Sequence, residues 1–377
     1  MSLLQRRSFA FTLVVAGVSA LVLASGAAQA LETATPIQVG KVFTSTNAAA
    51  GNELLVYGRA ADGSLQLLGR EPTQGLGTGG GLGSQGAVTL SGDGRHLFVV
   101  NAGSHTVSTF ALNGHQLSLV SVVDAGGLQP VSVAESEGTV YVLDAGGSGN
   151  VAGFRNAGGT LVPLAGSVRA LSAAGGTGPA QVGIGRDVLV VTEKATNRLV
   201  TWRLNADGTP GARAVTPAAG ITPFGFAIDQ RDHLVVSEAF GGASGGSAAS
   251  SYTFGPRGDA VPQVASASVP TLQTAACWVA MTPNGRWAYT GNAGNSSVSL
   301  YDVAPDGRIV LRQPAAGITG PNAGVTDLAV SRDGHALYAL APRGAQIASF
   351  TIERDGTLTQ LGSASGVPGT PAGLAAN

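Results

Sequence analysis

Charge is scarce in this chain of 377 residues: Asp, Glu, Lys and Arg together make 11%, and lysine occurs only at Lys41 and Lys194. With 21 basic against 22 acidic residues there is no field to hold nucleic acid or an anionic membrane surface. The one cysteine, Cys277, excludes an internal disulfide and a cysteine-based zinc site. Five histidines occur, with no pair at metal-ligand spacing, so no zinc site is expected. Long apolar runs are also missing. The uncharged and mostly apolar run Phe9 to Leu23 falls short of the ~20 residues that span a bilayer.

That run instead fits a secretory signal. Arg6 and Arg7 supply the positive end, the apolar stretch follows, and Ala28-Gln29-Ala30 is a small-residue cleavage site. Residues 1–30 are therefore assigned to a signal peptide and 31–377 to one mature domain, which places the protein in the periplasm or outside the cell. The Arg6-Arg7-Ser8-Phe9 stretch also matches a twin-arginine signal, so the export route stays open.

What the chain has in quantity is glycine, 57 residues, with 18 prolines. Interior glycine costs a helix about 1 kcal/mol relative to alanine, so short strands and tight turns are expected in place of helices. A repeat carries them. Its clearest copy reads Ala87-Val88-Thr89-Leu90, a turn at Ser91-Gly92-Asp93-Gly94, then His96 to Asn101, Thr106 to Phe110, Asn113-Gly114, and Leu117 to Val120. The polar residue closing the second strand recurs at Asn47, Asn101, Asp144, Glu193, Glu238 and Asn292, with Ala341 in the last copy, at a mean spacing of 49 residues. Asp-Gly turns recur at Asp62-Gly63, Asp207-Gly208, Asp306-Gly307 and Asp355-Gly356, where tight hairpins need positive φ.

Four antiparallel strands repeated seven times predict an all-β fold, a seven-bladed β-propeller. The first copy begins at its second strand, Lys41-Val42-Phe43, and the chain ends on a surplus strand-like stretch, Gly369 to Ala375. Pairing the two would close the ring and remove two open sheet edges.

The sequence resembles the seven-bladed lactonase-like propellers, the group of 6-phosphogluconolactonase-type and carboxymuconate-cyclase-type proteins. The resemblance covers Gly40 to Asn377. It is carried by the run Leu189 to Leu199 (LVVTEKATNRL), by Thr222-Pro223-Phe224-Gly225-Phe226-Ala227 with Leu234 to Ala239, and by Gln273 to Val279. It implies a lactone hydrolase or cycloisomerase with its site on the channel face. In the family a Gly-Pro-His segment enters a first strand; here the matching place reads Gly178-Pro179-Ala180-Gln181-Val182, so the histidine base is missing where the family would put it.

In a propeller, the loops after the second strands and the connections between blades gather around one mouth of the central channel, the default ligand site. Asp144, Glu193 and Glu238 fall there on three consecutive blades. Glu193 and Glu238 are the candidate bases that activate water, and Arg198 is the candidate partner of a substrate carboxylate or oxyanion. Asn101, Asp144, His105, Gln181, Asn197 and Asn292 are candidate substrate contacts. The competing reading is that each carboxylate caps its own loop by accepting backbone amides, and that Glu193 and Arg198 form an inconsequential ion pair. Cys277 reads as a buried inert thiol. No cofactor is expected, a cation between the channel carboxylates being the one addition their charge allows.

Two functions follow. The first is an exported monomeric enzyme acting on a small lactone or cyclic carboxylate at the channel mouth. The second is a non-catalytic propeller binding a peptide, glycan or envelope partner through the same face.

Overall fold

The computed structural model describes residues 38–114, 116–255 and 260–377. The signal peptide and its cleavage site before Leu31, and His115, lie outside the described residues. Among the described residues no helix is long and apolar enough to cross a membrane.

Seven antiparallel sheets form seven blades, each with its first strand innermost. Blade 3 carries an extra piece, because its outer strand is broken into Thr160–Pro163 and Arg169–Ala170, both paired with Asn150–Ala157. Why these residues make strands is visible in blade 2. His96–Asn101 pairs with Thr106–Asn113 in an unbroken antiparallel register, Val99 opposite Ser108. Its β-branched and aromatic residues alternate between the two faces, Leu97 and Val99 packing towards blade 1, Phe98 and Val100 towards blade 3. The preceding turn is stapled by Asp93, whose carboxylate accepts from the Ser91 hydroxyl at 2.6 Å and the Arg95 amide at 2.9 Å. Gly94 supplies the positive φ of 71°.

The ring closes as expected. The C-terminal strand Ala372–Ala376 is the innermost strand of blade 1, with Phe43 opposite Ala375 and Val42 opposite Ala376. The core confirms closure independently: seven hydrophobic clusters correspond to seven blade interfaces, and the last interface, between blades 7 and 1, holds Tyr57, Tyr338, Leu340, Ile347 and Leu374 like any other. Buried tyrosines add a polar pin. Tyr141, Tyr289 and Tyr338 donate their hydroxyls to Gly208, Gly356 and Gly63 in the Asp-Gly turn of the following blade, at 2.7, 2.7 and 3.0 Å. The third of these pins joins blade 7 to blade 1.

Candidate functional site

The predicted polar ring exists, and its residues grip the polypeptide rather than face the channel. Asn101, Asp144, Glu193, Glu238 and Asn292 all close a second strand and are all fully buried. The Glu193 carboxylate accepts the Ser172 amide at 2.8 Å, and also the hydroxyls of Ser172 and Thr196. Glu238 accepts the Gly220 amide at 2.8 Å, the Ser268 hydroxyl at 2.7 Å and the Ser250 hydroxyl. Asn101 accepts from Asn52 and Thr73 and donates to Thr106 and Ser108. In each case the partner set includes the connection arriving from the previous blade. That connection passes so close that a Cβ on Gly220 would lie 2.2 Å from the Glu238 carboxylate, and one on Gly127 would lie 2.6 Å from that of Asp144. Burial raises the pKa of Glu238.

Asp144 is the least satisfied member. One carboxylate oxygen accepts from Asn150 at 3.3 Å, and the other has no partner among the described residues. Burial first, and the charge of Asp124 second, push its pKa up to about 8. Asn292 donates to Ser297 and Ser299 at 3.1 and 2.9 Å.

A second group reaches forward. His105 and Asn197 both sit at left-handed φ, 59° and 53°, and accept the amide of the connection leaving towards the next blade: His105 Nδ1 from Gln129 at 2.9 Å, Asn197 Oδ1 from Thr222 at 2.7 Å. Asn47 belongs here too. It lies two residues past its strand, at φ 50°, and accepts the Thr78 amide at 3.0 Å. Its place among the strand-closing residues is therefore corrected; the turn after that strand is longer, and Asn52 supplies the bond to Asn101. Because asparagine does the same job in two blades, His105→Asn is expected to melt within a degree or two of wild type. His105→Ala is expected to lose about 1 kcal/mol. Thermal unfolding of both variants checks it, and an equal loss in both would contradict the latch.

Gln181 links two inner strands, its amide receiving the Phe226 N–H at 2.7 Å and donating to the Phe226 carbonyl at 3.0 Å. Arg198 stands opposite Glu193 in the strand register and is half-buried, but no ion pair joins them among the described residues. In blade 5 the loop between the second and third strands runs over 239–247, from Leu234–Glu238 to Ala248–Phe254.

What occupies the channel has no local sequence signature. The connection from blade 1 to blade 2 crosses it. Ser84 donates its hydroxyl to Val131 of blade 3 at 2.8 Å, and its carbonyl accepts from the Trp278 indole of blade 6 at 3.0 Å. Gln85 donates its amide to Ala180 of blade 4 at 3.0 Å. Its side chain makes a two-point bond with Val279, donating at 2.8 Å and accepting at 3.0 Å. Ser84 and Gln85 thus form a plug tied to three other blades.

On the loop side of the plug lies a cavity of about 380 Å³, walled by Leu82, Phe224, Trp278, Pro342 and Pro371, with Ser84 at its floor. The Phe224 and Trp278 rings stand 5.3 Å apart at 59°. Lys194 edges this wall: its ammonium donates to the Gly83 carbonyl and lies 4.5 Å from the centre of the Phe224 ring. Burial lowers the Lys194 pKa and raises that of the neighbouring Cys277 thiol to about 12. On the other side of the plug, Gln85, Gln181 and Asp327 line a second cavity of about 280 Å³. Burial keeps the Asp327 pKa well above the usual carboxylate range. Lys194, one of two lysines and set directly beside a strand-closing glutamate, was the one available sequence signal for the upper cavity.

No family model and no curated protein matches the chain. Solved structures do. A protein from Lactobacillus plantarum superposes with a TM-score of 0.70 at 14% identity, covering 90% of this chain and 100% of its own. The periplasmic gluconolactonase of Pseudomonas aeruginosa gives 0.66 at 17% identity, covering 89% and 98%. A candidate 6-phosphogluconolactonase of Bacteroides fragilis gives 0.64 at 15% identity, covering 90% and 98%. The chain therefore has the fold of the lactonase-like propellers, and at these identities the likeness concerns the fold alone.

Proposed function

We propose that the protein is an exported propeller that binds a small lactone or cyclic carboxylate in the cavity at the channel mouth. One observation carries the reading: the aromatic-walled cavity of about 380 Å³ lies on the loop face and is floored by the Ser84–Gln85 plug. That volume suits a ligand of one ring, and mostly apolar walls with few polar groups are the usual build of such a site. Export rests on residues 1–30 and their signal pattern.

Binding is favoured over hydrolysis by where the acids lie. A general base must come within hydrogen-bond reach of water and substrate. Glu193 and Glu238 are fully buried, with both oxygens of each already accepting bonds. A panel of sugar, aliphatic and muconate-type lactones, followed by calorimetry and by proton release, tests the reading. We expect saturable binding that weakens at least ten-fold in Trp278→Ala, with no proton release. Turnover that disappears in Glu193→Gln or Arg198→Ala, in folded protein, would restore the hydrolase. Absence of binding by the whole panel would point to a peptide, glycan or envelope partner on the same face.

A further inference from the structure

We infer that Lys194 is the recognition group for a carboxylate, so that the cavity selects small ring-bearing monocarboxylates over their neutral counterparts. The inference rests on the channel-mouth reading and narrows its ligand class.

An ammonium offers three donors, and among the described residues Lys194 makes one hydrogen bond, to the Gly83 carbonyl. Its other close neighbour is the face of Phe224. No carboxylate pairs with it among the described residues: Glu193, adjacent in sequence, is turned into the blade and saturated by Ser172 and Thr196. The neighbouring Cys277 thiol stays protonated and offers no counter-charge. Removing an ammonium from water is costly unless an anion or several acceptors replace the lost hydration. Lys194 is half-buried and both its contacts, Gly83 and Phe224, belong to the cavity wall, so a carboxylate bound in the cavity would offer acceptors to the remaining donors.

The walls define the rest of the ligand. Phe224 and Trp278, packed against each other at 5.3 Å, give the wall an aromatic surface that suits a ring rather than an extended chain. A single ammonium matches one carboxylate. A phosphate with its higher charge would lack further cations, since no charged residue lines the cavity among the described residues.

The test uses three probes on the mature chain, titrated by calorimetry: benzoate, methyl benzoate and δ-valerolactone. Wild type is expected to bind benzoate at least ten-fold more tightly than methyl benzoate. Lys194→Met, which keeps the apolar stem, should bring that ratio close to one while changing methyl benzoate affinity less than three-fold. Lys194→Arg should retain the preference. If Lys194→Met does not fold, Lys194→Gln takes its place. A wild-type ratio near or below one, or a preference that survives Lys194→Met, overturns the inference. Its failure is separable from that of the broader reading: methyl benzoate or lactone binding lost in Trp278→Ala, without carboxylate preference, leaves the cavity as the site. Binding of none of the probes overturns both.

Discussion

Asp144→Asn should make the protein more stable at neutral and alkaline pH, by roughly 3–5 kcal/mol at pH 9. The substitution keeps the shape and the contact with Asn150 while removing a charge that burial penalises. The sign follows from the proton count. The Asp144 pKa is near 4 in the unfolded chain and about 8 in the folded one, so between those values the native state holds the extra proton. The contribution of Asp144 is therefore most favourable below pH ~4 and declines as pH rises towards 8, the reverse of an ion-paired aspartate. Wild type and variant should melt at similar temperatures at pH 4 and diverge steadily above it. Asp327 has the same sign and leaves a residual slope in the variant. The turn aspartates Asp93, Asp207 and Asp355 act with the opposite sign but at more acid pH, because hydrogen bonds from Ser91, Thr209 and Thr357 hold their pKa values below the ordinary aspartate value. Calorimetric melting temperatures from pH 4 to 9 decide the matter; parallel curves would mean that Asp144 is ionised and satisfied in the native state.

Blade count, turn chemistry and ring closure were legible because each rests on local pattern: alternation along strands, Asp-Gly at turns, and an unpartnered strand at either end. The polar ring was legible as a position, but the direction in which its side chains turn was not. A carboxylate closing a strand at the mouth of a channel has the same sequence signature whether it faces the lumen or the adjoining connection. Glu193 and Glu238 face the connection, because the backbone amides of Ser172 and Gly220 arrive there. The plug, and the place of Lys194 beside it, were out of reach for a different reason. Gly81-Leu82-Gly83-Ser84-Gln85 carries no periodicity, and its partners Val131, Ala180 and Val279 lie between 47 and 194 residues away along the chain. Nothing local announces a loop that runs inward, and only the assembled ring brings Phe224, Trp278 and Lys194 to one wall.

The plug makes the second large prediction. Gln85→Ala should cost about 2–3 kcal/mol, because it strips both the N–H and the C=O of Val279 of their partner within the channel. Gly225→Ala should cost at least as much. Gly225 lies at an irregularity in the inner strand of blade 5, and a Cβ there would fall 2.0 Å from the Gln85 side-chain oxygen and 2.7 Å from the Cys277 carbonyl. The two losses share a cause: the methyl of Gly225→Ala destabilises largely by displacing the Gln85 side chain. Combining them should therefore cost less than their sum, by about 1 kcal/mol or more, where independent sites would add within about 0.5 kcal/mol. Urea unfolding of wild type, both single variants and the double variant gives the coupling directly. Additive losses would show that Gly225 serves the Cys277 backbone alone. A sub-additive result would identify the Gln85 bond as what holds the floor of the channel-mouth cavity in place, and would make ligand binding in that cavity sensitive to Gln85→Ala without any contact between Gln85 and ligand.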